Sequence, residues 1–358
     1  MTQSKNKLKT AFVFSGGASL GAVEAGALKA IVEHGVQADM VLGTSVGSLN
    51  GAMYAYNPTM KGVKDIEEVW SSIKFSTVFS PSPITPVINF TTAGQYAISP
   101  KNLRKLITEK LPFTNIEETK IPLYIVSTDI KCGEEVVFDK GIAIEALMSS
   151  VCLPGVFPPQ HMHGHTLVDG GMLNNAPIST AVRLGAERIV IFPIGVPSSD
   201  QAPKNIFEIL IRMFIYLLNR QLATDIQLYK DKVELIIIPP PDCIDVGPHD
   251  FSKSKILMEQ SYQVAKSWLA REGFKPNPND LTHPCDVHTN PINLTEAIVP
   301  DPEKKAATRV KENIQETTQT MKKSLDETAD DIYSGLVKRG EKIRKKLSQK
   351  KDKKELEE

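Results

Sequence analysis

The sequence predicts an α/β protein with a mostly parallel central sheet, helices on both of its faces, and a helical tail after it. Residues 11–14, 122–126, 188–192 and 234–238 are apolar runs without alternation, the pattern of strands covered on both faces. Segments of helical periodicity separate them, as the crossovers of a parallel sheet require. After Phe274 the composition turns first to proline and asparagine and then to dense charge. These shifts divide the chain into a catalytic-sized domain over residues 1–273, a linker over 274–303 and a charged helical tail over 304–358.

The composition narrows the function classes. A chain of 358 residues with 41% hydrophobic content can bury a sizeable core. Its formal net charge of +0 gives no electrostatic footprint for nucleic acid. The 4 cysteines are scattered and form no C-x-x-C pair, and the polar N-terminus has no secretory pattern. Reduced thiols and a cytoplasmic location are therefore expected, with the sequons at Asn89 and Asn293 idle.

Three segments carry candidate chemistry. The apolar run Met40-Val41-Leu42 leads into Gly43-Thr44-Ser45-Val46-Gly47 and then a helical stretch over residues 49–56. A serine between glycines at a strand-to-helix turn is the pattern of a nucleophile elbow, which lifts the hydroxyl out of the sheet at a helix N-terminus. Read alone, it is also a plain Gly/Ser turn. Upstream, a strand over residues 10–14 runs into Ser15-Gly16-Gly17-Ala18-Ser19-Leu20-Gly21-Ala22 and a helix through Ile31. Adjacent Gly16 and Gly17 do not fit the dinucleotide fingerprint, and Ala22 after Gly21 does not fit a P-loop. An oxyanion hole or a tight strand–helix packing turn remains. Downstream, Thr166-Leu167-Val168-Asp169-Gly170-Gly171 puts an aspartate at a strand end before two glycines. Such an aspartate is often a turn residue. In a parallel-sheet protein it also falls on the edge where strand carboxyl ends gather the active site.

Together these segments, with Asp250-Phe251-Ser252 before a late helix, resemble the patatin-like phospholipase family from about Lys9 to about Ala270. The resemblance implies a three-layer fold and a lipid acyl hydrolase using a Ser-Asp dyad without histidine. Ser45 would be the nucleophile and Asp169 the base, with the N–H groups of Gly16, Gly17 and Ala18 forming the oxyanion hole. Gly21, Gly43, Gly47, Gly170 and Gly171 would support the motif. The family's loop usually reads Gly-Gly-Gly-x-Arg/Lys-Gly, whereas this chain has Ala18 at the third glycine and Leu20 at the basic position. Acyl transfer to an alcohol or lysolipid, and a non-catalytic lipid-surface adaptor, are the alternatives.

The histidines bear on the choice between a dyad and a triad. Of the 7 histidines, His249 alone lies in a loop after a late strand, where a triad member would be needed. His161, His163 and His165 alternate on a hairpin turning at Gly164. No carboxylate or cysteine in that segment completes a metal set. No metal and no cofactor are expected.

Three segments concern partners. Residues 79–100, rich in Pro, Ser and Thr, read as a lid over the active-site edge or as a surface connector. Residues 205–222 form a strongly apolar helix interrupted by Glu208 and Arg212 and shorter than a comfortable membrane span. It reads as a core-packing helix, or as an interfacial docking element if part of it is exposed. In the tail, Val310, Met321, Ile332 and Ile343 recur every eleven residues, as do Ile314, Leu325, Leu336 and Leu347. Eleven residues are close to three helical turns, so the apolar positions make one narrow stripe. A coiled coil giving self-association through 304–350, a basic amphipathic helix on a peripheral membrane surface, and a solvated charged helix all fit. The expected substrate is a lipid ester.

Overall fold

The computed structural model describes residues 8–79, 98–195, 206–241, 246–247 and 250–278. The tail, most of the 79–100 segment and His249 lie outside the described residues.

The strands are β1 (Thr10–Phe14), β2 (Met40–Thr44), β3 (Leu123–Asp129), β4 (Glu134–Phe138), β5 (Gln160–Met162), β6 (His165–Asp169), β7 (Arg188–Phe192) and β8 (Glu234–Ile237). They form one 8-stranded sheet. β3, β2, β1, β7 and β8 run parallel to one another, while β4 and β6 pair antiparallel with β3 and β5 pairs antiparallel with β6. The mostly parallel sheet is thus as the apolar runs predict. β4 is the strand that reading omits, because Glu134-Glu135 opens it and its residues are only half-buried.

The helices are α1 (Gly21–Glu33), α2 (Val46–Tyr56), α3 (Met60–Ser72), α4 (Phe75–Val78), α5 (Lys101–Lys110), α6 (Ala143–Ser150), α7 (Ile178–Arg183), α8 (Ile206–Tyr229) and α9 (Ser254–Glu272). Strand residues alternate between two apolar layers. Phe12, Phe14, Val41, Val190, Phe192 and Ile236 join the core on the side of α1, α2, α3 and α9. Ala11, Val13, Met40, Leu42, Ile189, Ile191, Leu235 and Ile237 join the core on the side of α7 and α8. Both faces are therefore covered, which is why these strands lack a polar alternation. Phe14 and Phe192 stack at 4.6 Å between centroids, and Phe12 meets Phe192 edge-on at 5.4 Å. Offset and edge-on aromatic pairs add about 0.5–1.5 kcal/mol each beyond their area burial.

The register of β3 builds the site. Its first part pairs with β2, with Val126 opposite Thr44, and its last part pairs with β6, with Ser127 opposite Asp169. β4 occupies the other edge of both parts. β6 must then take the edge of β3 where β2 leaves off, and being antiparallel it runs toward the end of β2. The last residue of β6 and the residue after β2 therefore meet head to head.

Candidate active site

That meeting brings Ser45 to Asp169. The Ser45 Oγ–H donates to Asp169 Oδ2 at 2.6 Å, and the Gly171 N–H donates to Asp169 Oδ1 at 2.8 Å. Asp169 is buried, and burial pushes its carboxyl up to about 6, with these two hydrogen bonds opposing the shift. Among the described residues no histidine bonds either partner: His165 Nδ1 pairs with Asp129 Oδ2 at 2.6 Å and His161 with Thr166 Oγ1 at 3.2 Å.

Ser45 stands between β2 and α2 at φ 53 and ψ −128, a region costly to a residue with a Cβ. The turn is this tight because its flanking residues have no side chains. A Cβ on Gly43 would lie 2.5 Å from Gly47 O, and one on Gly47 would lie 2.5 Å from Phe14 O. The backbone of Ser45 is held separately: its N–H donates to Ser150 Oγ at 2.9 Å, and that hydroxyl donates to Val126 O at 2.6 Å. The backbone N–H of Ser45 is thus engaged.

The glycine loop runs beside the elbow. A Cβ on Gly16 would sit 3.0 Å from Ser45 Cβ. Gly16 departs from the expected role. Its N–H donates to Asn175 Oδ1 at 3.0 Å and to Asn175 O at 3.3 Å, so that donor is engaged. The N–H groups of Gly17 and Ala18 meet no such acceptor among the described residues. Ala18 opens a short 3-10 turn, Ala18–Leu20, at φ 52. That strained value is the cost of placing alanine where the related motif has glycine. Leu20, at the motif's basic position, is fully buried in the core. Gly21 abuts Val46 and Trp70, where a Cβ would come within 2.8 Å and 2.9 Å. Gly170 packs on Val126 O, 2.3 Å from where its Cβ would stand.

Two side chains escape the sequence reading. Asn175 closes its hold on Gly16 by donating from Nδ2 to Gly16 O at 3.3 Å. Ser150, at the end of α6, positions the Ser45 peptide. The only signal for Asn175 is its place in the Asn174-Asn175-Ala176-Pro177 turn following Asp169-Gly170-Gly171.

Several known proteins resemble this chain. The family model for patatin-like phospholipase matches residues 12–182. A lysophospholipase of Mycosarcoma maydis, NTE1, is 31% identical over 58% of this chain and 11% of its own. Human patatin-like phospholipase domain-containing protein 6 is 31% identical over 52% of this chain and 13% of its own. The chain thus spans little more than a tenth of these relatives, 11% and 13%. Among solved structures, VipD from Legionella pneumophila aligns over 73% of this chain and 67% of its own, at 15% identity and a TM-score of 0.37. Over residues 12–182 the chain is similar to the patatin-like phospholipase family.

Proposed function

We propose that the protein is a serine hydrolase of lipid esters that works through an acyl-enzyme on Ser45. The observation that carries this is the 2.6 Å bond from Ser45 Oγ to a buried Asp169 with no histidine between them. Ser45 Oγ attacks the ester carbonyl while its proton passes to Asp169. The Gly17 and Ala18 N–H groups receive the oxyanion. Collapse of the tetrahedral intermediate breaks the ester C–O bond, and the leaving alcohol takes the proton from Asp169. Water then attacks the acyl group, loses its proton to Asp169, and the proton returns to Ser45 Oγ as the fatty acid departs. A carboxyl near 6 suits a base working at neutral pH. Fixed oxyanion donors supply much of the rate, at about a hundredfold to a thousandfold for each.

The lipid surface enters through α8. No helix among the described residues is long and apolar enough to cross a membrane. α8 packs on the core through Ile215, Leu218 and Leu222, while Met213, Tyr216 and Leu217 on the same helix face solvent. α8 is bolted to the catalytic edge, since Gln221 Oε1 accepts from Asn175 N–H and its Nε2 donates to Leu173 O. An exposed apolar face beside the site supports a peripheral docking role.

The test is steady-state hydrolysis of a short-chain p-nitrophenyl ester and of lysophosphatidylcholine by wild type, Ser45→Ala and Asp169→Asn. Wild-type turnover with losses of about a thousandfold or more in both variants is expected. Equal turnover by Ser45→Ala and wild type would remove the nucleophile assignment.

A further inference from the structure

Glu24 is fully buried on α1, and no step of the proposed chemistry uses its carboxyl. Burial pushes that carboxyl well above its ordinary range, against two hydrogen bonds that pull the other way. Oε1 accepts from the Ser15 N–H at 2.6 Å, and Oε2 accepts from Asn50 Nδ2 at 2.8 Å. Asn50 Nδ2 also donates to Gly21 O at 2.9 Å, and Asn50 Oδ1 accepts from Trp70 Nε1 at 2.9 Å.

Ser15 and Gly21 are the two ends of the loop that presents the Gly17 and Ala18 N–H groups. A single carboxyl–amide pair therefore holds both ends of the loop. Asn50 lies on α2, the helix that begins directly after Ser45, so the same pair ties the loop to the nucleophile's own element. Trp70, on α3, closes the chain and fixes which way the Asn50 amide faces. Ala18 keeps φ 52 inside this loop, and such strain persists only where the surroundings over-determine the backbone. Oxyanion donors act through fixed geometry, and a misplacement of about 1 Å can cost about a hundredfold in rate.

We propose that Glu24 and Asn50 are positioning residues that set the separation between the oxyanion donors and Ser45 Oγ. This rests on the hydrolase reading above. A purely space-filling role is the competing explanation, and Glu24→Gln separates the two because it preserves volume. The substituted side chain would still accept from the Ser15 N–H through its oxygen, but its amide hydrogens would confront the Asn50 Nδ2 hydrogens. Turning Asn50 over to relieve that would strand the Trp70 N–H.

The experiment measures kcat and KM on a soluble ester, with hydrogen exchange over residues 15–21, in wild type and Glu24→Gln. The expected result is a fall in kcat of about tenfold to a hundredfold in the variant, with KM within about threefold. Should Glu24→Gln not fold, Asn50→Ser opens the same link from the α2 side and should show the same split. A folded Glu24→Gln with wild-type kcat would overturn the positioning role. The exchange readout does not depend on activity. Faster exchange over residues 15–21 in Glu24→Gln is expected, and unchanged exchange would overturn the inference whatever the wild type hydrolyses. Absence of wild-type turnover would instead count against the hydrolase reading.

Discussion

Gly16 and Asn175 grip each other through both backbone polar groups of the glycine: the Gly16 N–H donates to Oδ1 and to the backbone O of Asn175, and Asn175 Nδ2 donates to Gly16 O. The bond joins the glycine loop after β1 to the turn after Asp169, so the two segments to which the proposal gives the oxyanion and the base are clamped directly. Asn175→Ala leaves the Gly16 carbonyl without its side-chain donor in a buried place, at a cost of about 1–3 kcal/mol. Lower stability of that order in denaturant titration is expected, with kcat down about tenfold. Wild-type kcat in a folded Asn175→Ala would show that the clamp does not govern the loop.

The raised Asp169 carboxyl sets a pH profile. As the base it must be ionised, so kcat/KM should rise with unit slope through about pH 6 and level off above it. An acid limb at the ordinary carboxylate value would contradict the burial argument.

The same shift has a consequence for stability. A carboxyl raised from 3.8 to about 6 favours the folded state fully only below its unfolded value, and that contribution is lost as pH rises through about 6. Asn at this position never ionises. Asp169→Asn should therefore gain stability over wild type between about pH 4 and 6 and keep a constant advantage above, on the order of 3 kcal/mol at most. Unfolding free energies at pH 4 and pH 8 measure this, and a pH-independent difference would refute it.

Backbone strain at the elbow is measurable by comparing two inactive variants. Glycine is at ease at φ 53 where alanine is not. Ser45→Gly should be more stable than Ser45→Ala by about 1–3 kcal/mol. Equal unfolding midpoints would mean that the turn relaxes when the hydroxyl is gone.

The exposed side of α8 yields a test independent of chemistry. Met213 and Leu217 are 56% and 65% exposed, and inserting either into a lipid surface is worth up to about 1.5–3 kcal/mol. Met213→Asp and Leu217→Asp should each lower binding to phosphatidylcholine vesicles about tenfold in a sedimentation assay. Turnover of a soluble ester should remain unchanged. Undiminished vesicle binding would place the lipid contact elsewhere.

How much of this can be read from the chain differs residue by residue. The meeting of Ser45 with Asp169 is legible because each sits in a turn that needs glycine neighbours within two positions, and a short motif records that need. Asn175 and Glu24 are not. Asn175 works on Gly16 across 159 positions, and Glu24 works on Asn50 across 26, so nothing adjacent in the chain marks them. Gly16 reads as a donor from its place in the loop, and only the folded turn reveals that its N–H is engaged by Asn175. β4 is hidden because an edge strand with one open side needs no apolar run. In α8 the apolar residues run around the helix, and periodicity alone does not say which of them the core leaves uncovered.

The most direct measurement is peptide mass mapping after reaction with a fluorophosphonate, in wild type, Ser45→Ala and Asp169→Asn. A phosphonyl adduct on the Ser45 peptide in wild type, absent in Ser45→Ala and formed far more slowly in Asp169→Asn, is the expected result. An adduct on another residue, or labelling of Asp169→Asn at the wild-type rate, would contradict a nucleophile activated by that aspartate.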